Sequence, residues 1–323
     1  MKFSNLTTAL SLLGVAFAQS CPDDGATGYA SVEGGTTGGG DASPVTVTTA
    51  DKLREAISAE GPSVVVIEGV IDTSGVLNVA SDKTIIGADA SAGILGGFAL
   101  DRVSNVIIKN LNIEAGEAAD TLATTYSTNV WFDHLTVHDA PDGLLDITRE
   151  SDFVTVSWCK FYYSDASGDH RLASLVSSGG GTQPEDEGKL HVTYHHNWWA
   201  ENVNQRMPRV MYGEAHVYNN FFNSPGNSYC IGFGSYGSVL IENNYFLDVE
   251  NPHQFMYDVY ARAEASGNVY DGTSGDEQTG LLGEKDAEGH DNHSADPFTP
   301  PYDVSMDDAE SIPDLVQNCA GPQ

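Results

Sequence analysis

The chain has 323 residues, with 46 acidic against 14 basic side chains and a formal net charge of −32. That balance excludes nucleic acid as a partner, because binding to it rests on Lys and Arg neutralising phosphates. After Lys2, an apolar run from Leu6 to Ala18 closes in Ala16-Phe17-Ala18, a small-residue cleavage pattern before Gln19. It predicts a secretory signal peptide over 1–18 and an extracellular mature chain over 19–323. No later segment approaches the roughly 20 apolar residues of a membrane span, so no membrane partner is expected.

Cys21, Cys159, Cys230 and Cys319 all lie beyond the leader. An even number in an oxidising compartment predicts two disulfides, with three pairings open. Cys159 has a second reading, since its place in the repeat described below equally suits a buried core residue. Further on, Leu53 and Ile57 have helical spacing within Ala50 to Ser58, with Thr49 and Asp51 near the start. This predicts a short helix capping one end of a solenoid. Val64 to Ile71 and Thr84 to Ile86 read as the first strands.

From residue 106 onward the chain repeats. Val106, Val130, Val154, Val192, Ala215, Val239 and Ala263 open equivalent short apolar runs, at spacings of 24, 24, 38, 23, 24 and 24. The one long spacing carries Ser177 to Gly188, a loop by composition. A strand of four or five residues cannot bury its apolar face alone, so successive repeats must stack. The predicted fold is all-β, a right-handed parallel β-helix with coils over about residues 62–270, in a single domain. Asn197, Asn220, Asn244 and Asn268 recur at one place in four successive coils, which predicts a ladder of buried amides bonded coil to coil. A β-sandwich, the alternative, would show turns every 8–12 residues without identity between repeats. Residues 271–323 are acidic, contain Pro and carry no repeat; they are expected to wrap the outside as an ordered, irregular tail.

The candidate functional region runs from His195 to Asn220. Arg206-Met207-Pro208-Arg209 brings together two of the seven arginines of a very acidic chain. An anionic substrate held beside a metal ion is the best reason for such a positive spot. Asp142 and Asp146 alone do not define a metal site, because four residues of extended chain span about 13 Å; a bend near Pro141 and Gly143 would have to bring them together.

Six pieces then arrive in order: Asn129-Val130-Trp131-Phe132-Asp133-His134, Asp142-Gly143-Leu144-Leu145-Asp146-Ile147, Val154-Thr155-Val156-Ser157-Trp158, Tyr194-His195-His196-Asn197, Arg206-x-Pro208, and Gly213-x-x-His216-Val217-Tyr218-Asn219-Asn220. In these the chain resembles polysaccharide lyase family 1, the pectate lyase side, in its fungal form. The resemblance implies cleavage of de-esterified polygalacturonate by calcium-dependent β-elimination, giving 4,5-unsaturated oligogalacturonides. A base removes the C5 proton α to the uronate carboxylate, and the O4 leaving group departs. By resemblance, Asp120, Asp142 and Asp146 take the calcium-ligand positions and Arg206 is the base. Arginine is ordinarily protonated to a pKa of at least about 12, so an alkaline optimum is implied.

The chain departs from the family pattern at two basic positions. Met211 stands at a substrate-binding arginine and Leu172 nearest a substrate-binding lysine; Arg209 and Arg171 are the expected substitutes. A further family acidic position is Ala118. His134, His195, His196 and Asp133 are expected to be structural rather than zinc ligands or acids. Trp158 takes a core place, while Trp198 and Trp199 are open between packing and sugar stacking. Asn292-His293-Ser294 is an N-glycosylation acceptor in a eukaryotic secretory route. The enzyme is expected to be a monomer. A calcium-independent pectin lyase would replace the carboxylates and enrich the cleft in aromatics. A non-catalytic polysaccharide binder would have no need of Arg206.

Overall fold

The structure, a computed structural model, describes residues 21–22, 25–166, 169–177, 184–257, 260–283 and 298–323. The leader at 1–18, most of the insert after Ser177, and Asn292 lie outside the described residues. What is described is a right-handed parallel β-solenoid of about nine turns, built from three strand stacks.

The first stack holds the repeat. Val106 pairs with Val130, Val130 with Val154, Val154 with Val192, Val192 with Ala215, Ala215 with Val239 and Val239 with Ala263, every pairing parallel. The 38-residue spacing between Val154 and Val192 therefore costs no register; the extra residues leave the coil as a loop. Register is held because a slip of one residue would turn the buried side chains outward, and Val106, Val130, Val154, Val192 and Ala215 are fully buried. The second stack comprises the later halves of Ser104–Glu114 and Thr128–His138, then Lys160–Tyr162, Trp198–Trp199, Phe221–Phe222, Tyr245–Leu247 and Val269–Asp271. The third runs through Val70–Asn78, Gly93–Asp101, Leu122–Thr125, Gly143–Thr148, Leu172–Val176, Arg209–Met211, Ile231–Gly234 and His253–Phe255.

The corner between the first and second stacks is made the same way in each coil. Asn110, His134, Trp158, His196, Asn219, Asn243 and Gly267 all have positive φ, between 48° and 66°. The residue after each turns inward, and in four coils it is the ladder asparagine. Asn197, Asn220 and Asn244 each donate Nδ2 to the next Oδ1 at 3.0 Å, ending on Asn268. Each Oδ1 also receives a backbone N–H from the coil before; Asn197 receives that of Cys159 at 2.9 Å. Cys159 thus occupies the ladder place one coil earlier. Trp199 lies in a buried aromatic stack, 4.6 Å from Phe161 and 6.0 Å from Phe222 between ring centres. Trp198 carries the Lys160 ammonium 4.1 Å from its ring centre and packs under the C-terminal helix. Both tryptophans are packing residues.

The helix Ala50–Ser58 forms as expected, burying Leu53 and Ile57. The run Val64 to Ile71, expected as one strand, is divided at Glu68-Gly69 between Ser63–Ile67 on the first stack and Val70–Asn78 on the third. The described parts of the tail are ordered, as expected, and carry regular elements. Gly280–Leu282 pairs antiparallel with the last strand of the first stack, and Ile312–Cys319 is a helix. The expectation of two disulfides is corrected to one, Cys21–Cys319. Cys159 and Cys230 are free thiols, both wholly buried in the same core.

Candidate active site

The outer face of the third stack carries the acidic and basic residues singled out above. Asp146 lies in the strand Gly143–Thr148, and Asp142 in the bend just before it. That bend is fixed by Asp142 N–H donating to the Ala119 carbonyl at 2.9 Å and by Gly143 N–H donating to Asp120 Oδ1 at 2.9 Å. Asp120 and Asp146 meet over Gly143: a methyl group on Gly143 would stand 2.8 Å from Asp146 Oδ1 and 3.3 Å from Asp120 Oδ1. Glycine here is the condition for the two carboxylates to converge.

Their electrostatics follow from burial. Asp146 is pushed up to about 7, first by burial and then by the charge of Asp120, with Arg206 opposing. Asp120 is also raised, by burial and by Asp142, while the Gly143 N–H and Arg206 pull the other way. The third carboxylate is turned aside: Asp142 Oδ1 lies 2.9 Å from His170 Nε2, with both side chains largely exposed. Among the described residues no group of three His, Cys, Asp or Glu side chains is arranged as a metal site. The bend brings Asp120 and Asp146 together and leaves Asp142 beside them, within reach of their charge.

Arg206 precedes the cis Met207–Pro208 bond, has φ 65°, and accepts Ser174 N–H on its carbonyl at 2.7 Å. Its charge acts on both Asp120 and Asp146, which places it at the acidic pair. Arg209 follows on the next strand, two rungs from Asp146 through their common partner Leu175. Its guanidinium lies 5.3 Å from the ring centre of Tyr257, an exposed aromatic. Among the described residues neither Arg206 nor Arg209 forms an ion pair, and the buried Nε of each has no hydrogen-bond acceptor.

Arg171 is placed differently. Its Nε donates to the Asn202 carbonyl at 2.6 Å and its Nη1 to the Ala166 carbonyl at 2.7 Å, so it braces the loop that carries His170. Leu172 and Met211, at the family's basic positions, are buried side chains. One residue near the arginines had no signal of its own in the sequence. Tyr229 lies one coil beyond Arg206, and burial raises its phenol while the charges of Arg209 and Arg206 oppose the shift.

The histidines sit on another face. His134 Nδ1 is 2.7 Å from Asp133 Oδ2, His195 Nε2 is 2.7 Å from Thr27 Oγ1, and His196 Nε2 is 3.0 Å from Asp307 Oδ2. The last two contacts fasten the Thr27 and Asp307 segments over the first stack.

The outer face of the β-solenoid thus holds paired carboxylates next to two guanidiniums. The family described as Pectate lyase matches residues 2–323. Pectate lyase A of Emericella nidulans is 38% identical over 269 residues, covering 75% of this chain and 80% of that protein. A pectate trisaccharide-lyase of Thermotoga sp. (strain RQ2) is 36% identical over 245 residues, covering 69% of this chain and 65% of that protein. Among solved structures, a pectate lyase of Bacillus sp. N165 in complex with trigalacturonate superposes with a TM-score of 0.74 at 25% identity, over 92% of this chain and 99% of that one. The chain belongs to the pectate lyase family, and it is an enzyme of the lyase class.

Proposed function

We propose that this pectate lyase is an exported, monomeric, calcium-dependent enzyme that cleaves de-esterified polygalacturonate by β-elimination, releasing 4,5-unsaturated oligogalacturonides. The observation that carries the reading is the pair of guanidiniums, Arg206 beside the Asp120 and Asp146 carboxylates and Arg209 two rungs away, with no hydrogen-bond acceptor for either Nε among the described residues. Buried donors without acceptors are costly, and a polymer bearing a carboxylate on every sugar supplies acceptors of matching charge. The acidic chain would otherwise repel such a polymer.

The residues present fit a divalent cation. Asp120 and Asp146 converge on Gly143, Asp120 raises the affinity of Asp146 for protons and Asp142 that of Asp120, a repulsion that a cation relieves, and hard carboxylate oxygens suit calcium. Asp120, Asp142 and Asp146 would hold it. When bound, the cation supplies Lewis-acid stabilisation of the charge that builds on the uronate carboxylate as the C5 proton leaves. Arg206 takes that proton on its guanidine, and the C5 electron pair forms the C4–C5 double bond as the O4 leaving group departs. Arg209 binds a neighbouring carboxylate. Arg171 contributes through the loop it braces more than by direct contact with the polymer. Among the described residues no helix is long and apolar enough to cross a membrane, and the N-terminal apolar run supports export.

The test is ultraviolet absorbance of the unsaturated uronate while the purified protein acts on polygalacturonate at alkaline pH, with calcium and then with excess chelator. A rise abolished by chelator is expected. A rise indifferent to chelator would overturn the calcium assignment. No rise on polygalacturonate but one on highly methylated pectin would replace the reading with a pectin lyase.

A further inference from the structure

Tyr229 belongs to none of the six motifs, yet it is set against the two arginines of the groove. The Met207 N–H donates to the Cys230 carbonyl at 2.8 Å, which places the Tyr229-Cys230 segment one rung beyond Arg206-Met207. The residue is 4% exposed, and its hydroxyl makes no well-formed hydrogen bond among the described residues, although Arg209 stands close enough to pull the phenol down. Three buried polar groups that lack a well-formed hydrogen bond among the described residues therefore gather on this face of the coil: the Nε of Arg206, the Nε of Arg209 and the Tyr229 hydroxyl.

The space for the ring is made by Gly232, which pairs with Arg209 across the sheet. A methyl group at Gly232 would stand 2.7 Å from Tyr229 Cε2 and 3.0 Å from Met256 Cγ. The ring thus lies over a slot that a larger residue would fill, with its oxygen near both guanidiniums. A phenol oxygen accepts from N–H groups without carrying charge. A carboxylate in the same place would pair with Arg206 and hold it as a cation, unable to accept the C5 proton.

We propose that Tyr229 is a positioning residue for the elimination: with polymer seated, its neutral hydroxyl accepts from N–H groups of Arg209 and Arg206 and aims Arg206 at the C5 proton without fixing it as a cation. The inference rests on Arg206 acting as the base.

The experiment compares wild type, Tyr229→Phe and Tyr229→Glu on polygalacturonate, with Tyr245→Phe as a control on another face of the coil. Each is assayed for kcat and KM across pH and for thermal midpoint. Tyr229→Phe removes one oxygen and is expected to lower kcat about tenfold with KM within about twofold and an unchanged midpoint. Tyr229→Glu is expected to move the rising limb of the kcat profile to higher pH. The inference is overturned if Tyr229→Phe keeps wild-type kcat, or if its loss of rate comes with a lowered midpoint. Absence of elimination by the wild type would instead overturn the reading of the site itself.

Discussion

Asp146 and Arg209 pair with the same residue, Leu175, from opposite sides of one parallel sheet. Two rungs of such a sheet span about 10 Å, so a carboxylate and a guanidinium stand at fixed separation along one column of the groove. Arg206 lies at the acidic end, where its charge reaches Asp120 and Asp146. A base and a binding residue in this arrangement have separable kinetic signatures. Arg206→Lys is expected to lower kcat by about 10²–10⁴-fold, the range for a general base, with KM little changed. A variant retaining a tenth or more of the wild-type kcat would remove Arg206 from the base role.

Arg209 is expected to act on affinity. Losing one charge-assisted contact is worth about 1.5–3 kcal/mol, so Arg209→Ala should raise KM for polygalacturonate by one to two orders of magnitude. Steady-state kinetics over a wide substrate range would show this. A fall in kcat at unchanged KM would place Arg209 with the chemistry instead.

The carboxylate pair predicts a link between calcium and stability. Removing the Asp146 charge relieves repulsion in the apo chain while removing a ligand. Asp146→Asn should therefore raise the thermal midpoint in chelator at pH 8 by about 2–4 °C, if the relief is near 1 kcal/mol, and should abolish the rise that calcium gives the wild type. Gly143→Ala should weaken calcium binding without changing any charge, because its methyl group intrudes on Asp146. Scanning calorimetry with calcium titration checks both. Wild-type behaviour of Gly143→Ala would show that the convergence is unimportant.

A pH dependence follows from the opposite side of the coil. Burial holds His195 well below its ordinary value, with the charges of His196 and His216 adding to it; His196 is lowered by burial although Asp307 opposes the shift. Asp133, His134, Glu242 and Asp307 complete the titratable surroundings. Unfolded histidine titrates near pH 6.5, so below that value the unfolded chain takes up protons that the folded chain refuses. The contribution of these two histidines to stability is expected to be level above about pH 6.5 and to fall as the pH drops further, against the opposite contribution of Asp146, whose raised carboxyl takes up a proton in the fold over the same range. Thermal midpoints from pH 8 to pH 5 test this, and His195→Gln should flatten the decline. A decline of equal slope in that variant would locate the acid sensitivity elsewhere.

The amide ladder predicts a large local cost. Asn220 accepts from both the backbone N–H and Nδ2 of Asn197, so Asn220→Ala leaves two buried donors without a partner. Each is worth about 1–3 kcal/mol, and denaturant unfolding should show a loss of about 3 kcal/mol. A loss below about 1 kcal/mol would mean that water or a shifted neighbour restores the bonds.

Legibility from the sequence followed side-chain periodicity. The first stack was readable to the residue, because its inward positions at Val106, Val130 and Val154 recur with the coil. The third stack, which carries the site, was not. Arg209–Met211 and His253–Phe255 are three residues long, too short to show alternation, and Ile231–Gly234 contains two glycines. Asp142, Asp146 and Arg206 stand out in the sequence because they lie in motifs, whereas Asp120, Arg209 and Arg171 lie outside them. Tyr229 does not stand out, because its contact with the arginines is made from one coil to the next. Even cysteine parity misled: Cys159 is claimed by the ladder and Cys230 by the core, which leaves Cys21 and Cys319 as the bonded pair. The helix Ile312–Cys319 was missed because it is short and has Pro313 at its start.

The Cys21–Cys319 bond joins positions 298 residues apart in sequence. A stacked-repeat chain ordinarily loosens from its ends, where the terminal coils have one neighbour only, but here both ends are held by one covalent link. A protease that cuts a loop within the solenoid therefore yields a nicked ring closed through sulfur, whose two pieces part only after reduction. A single cut would then be survivable.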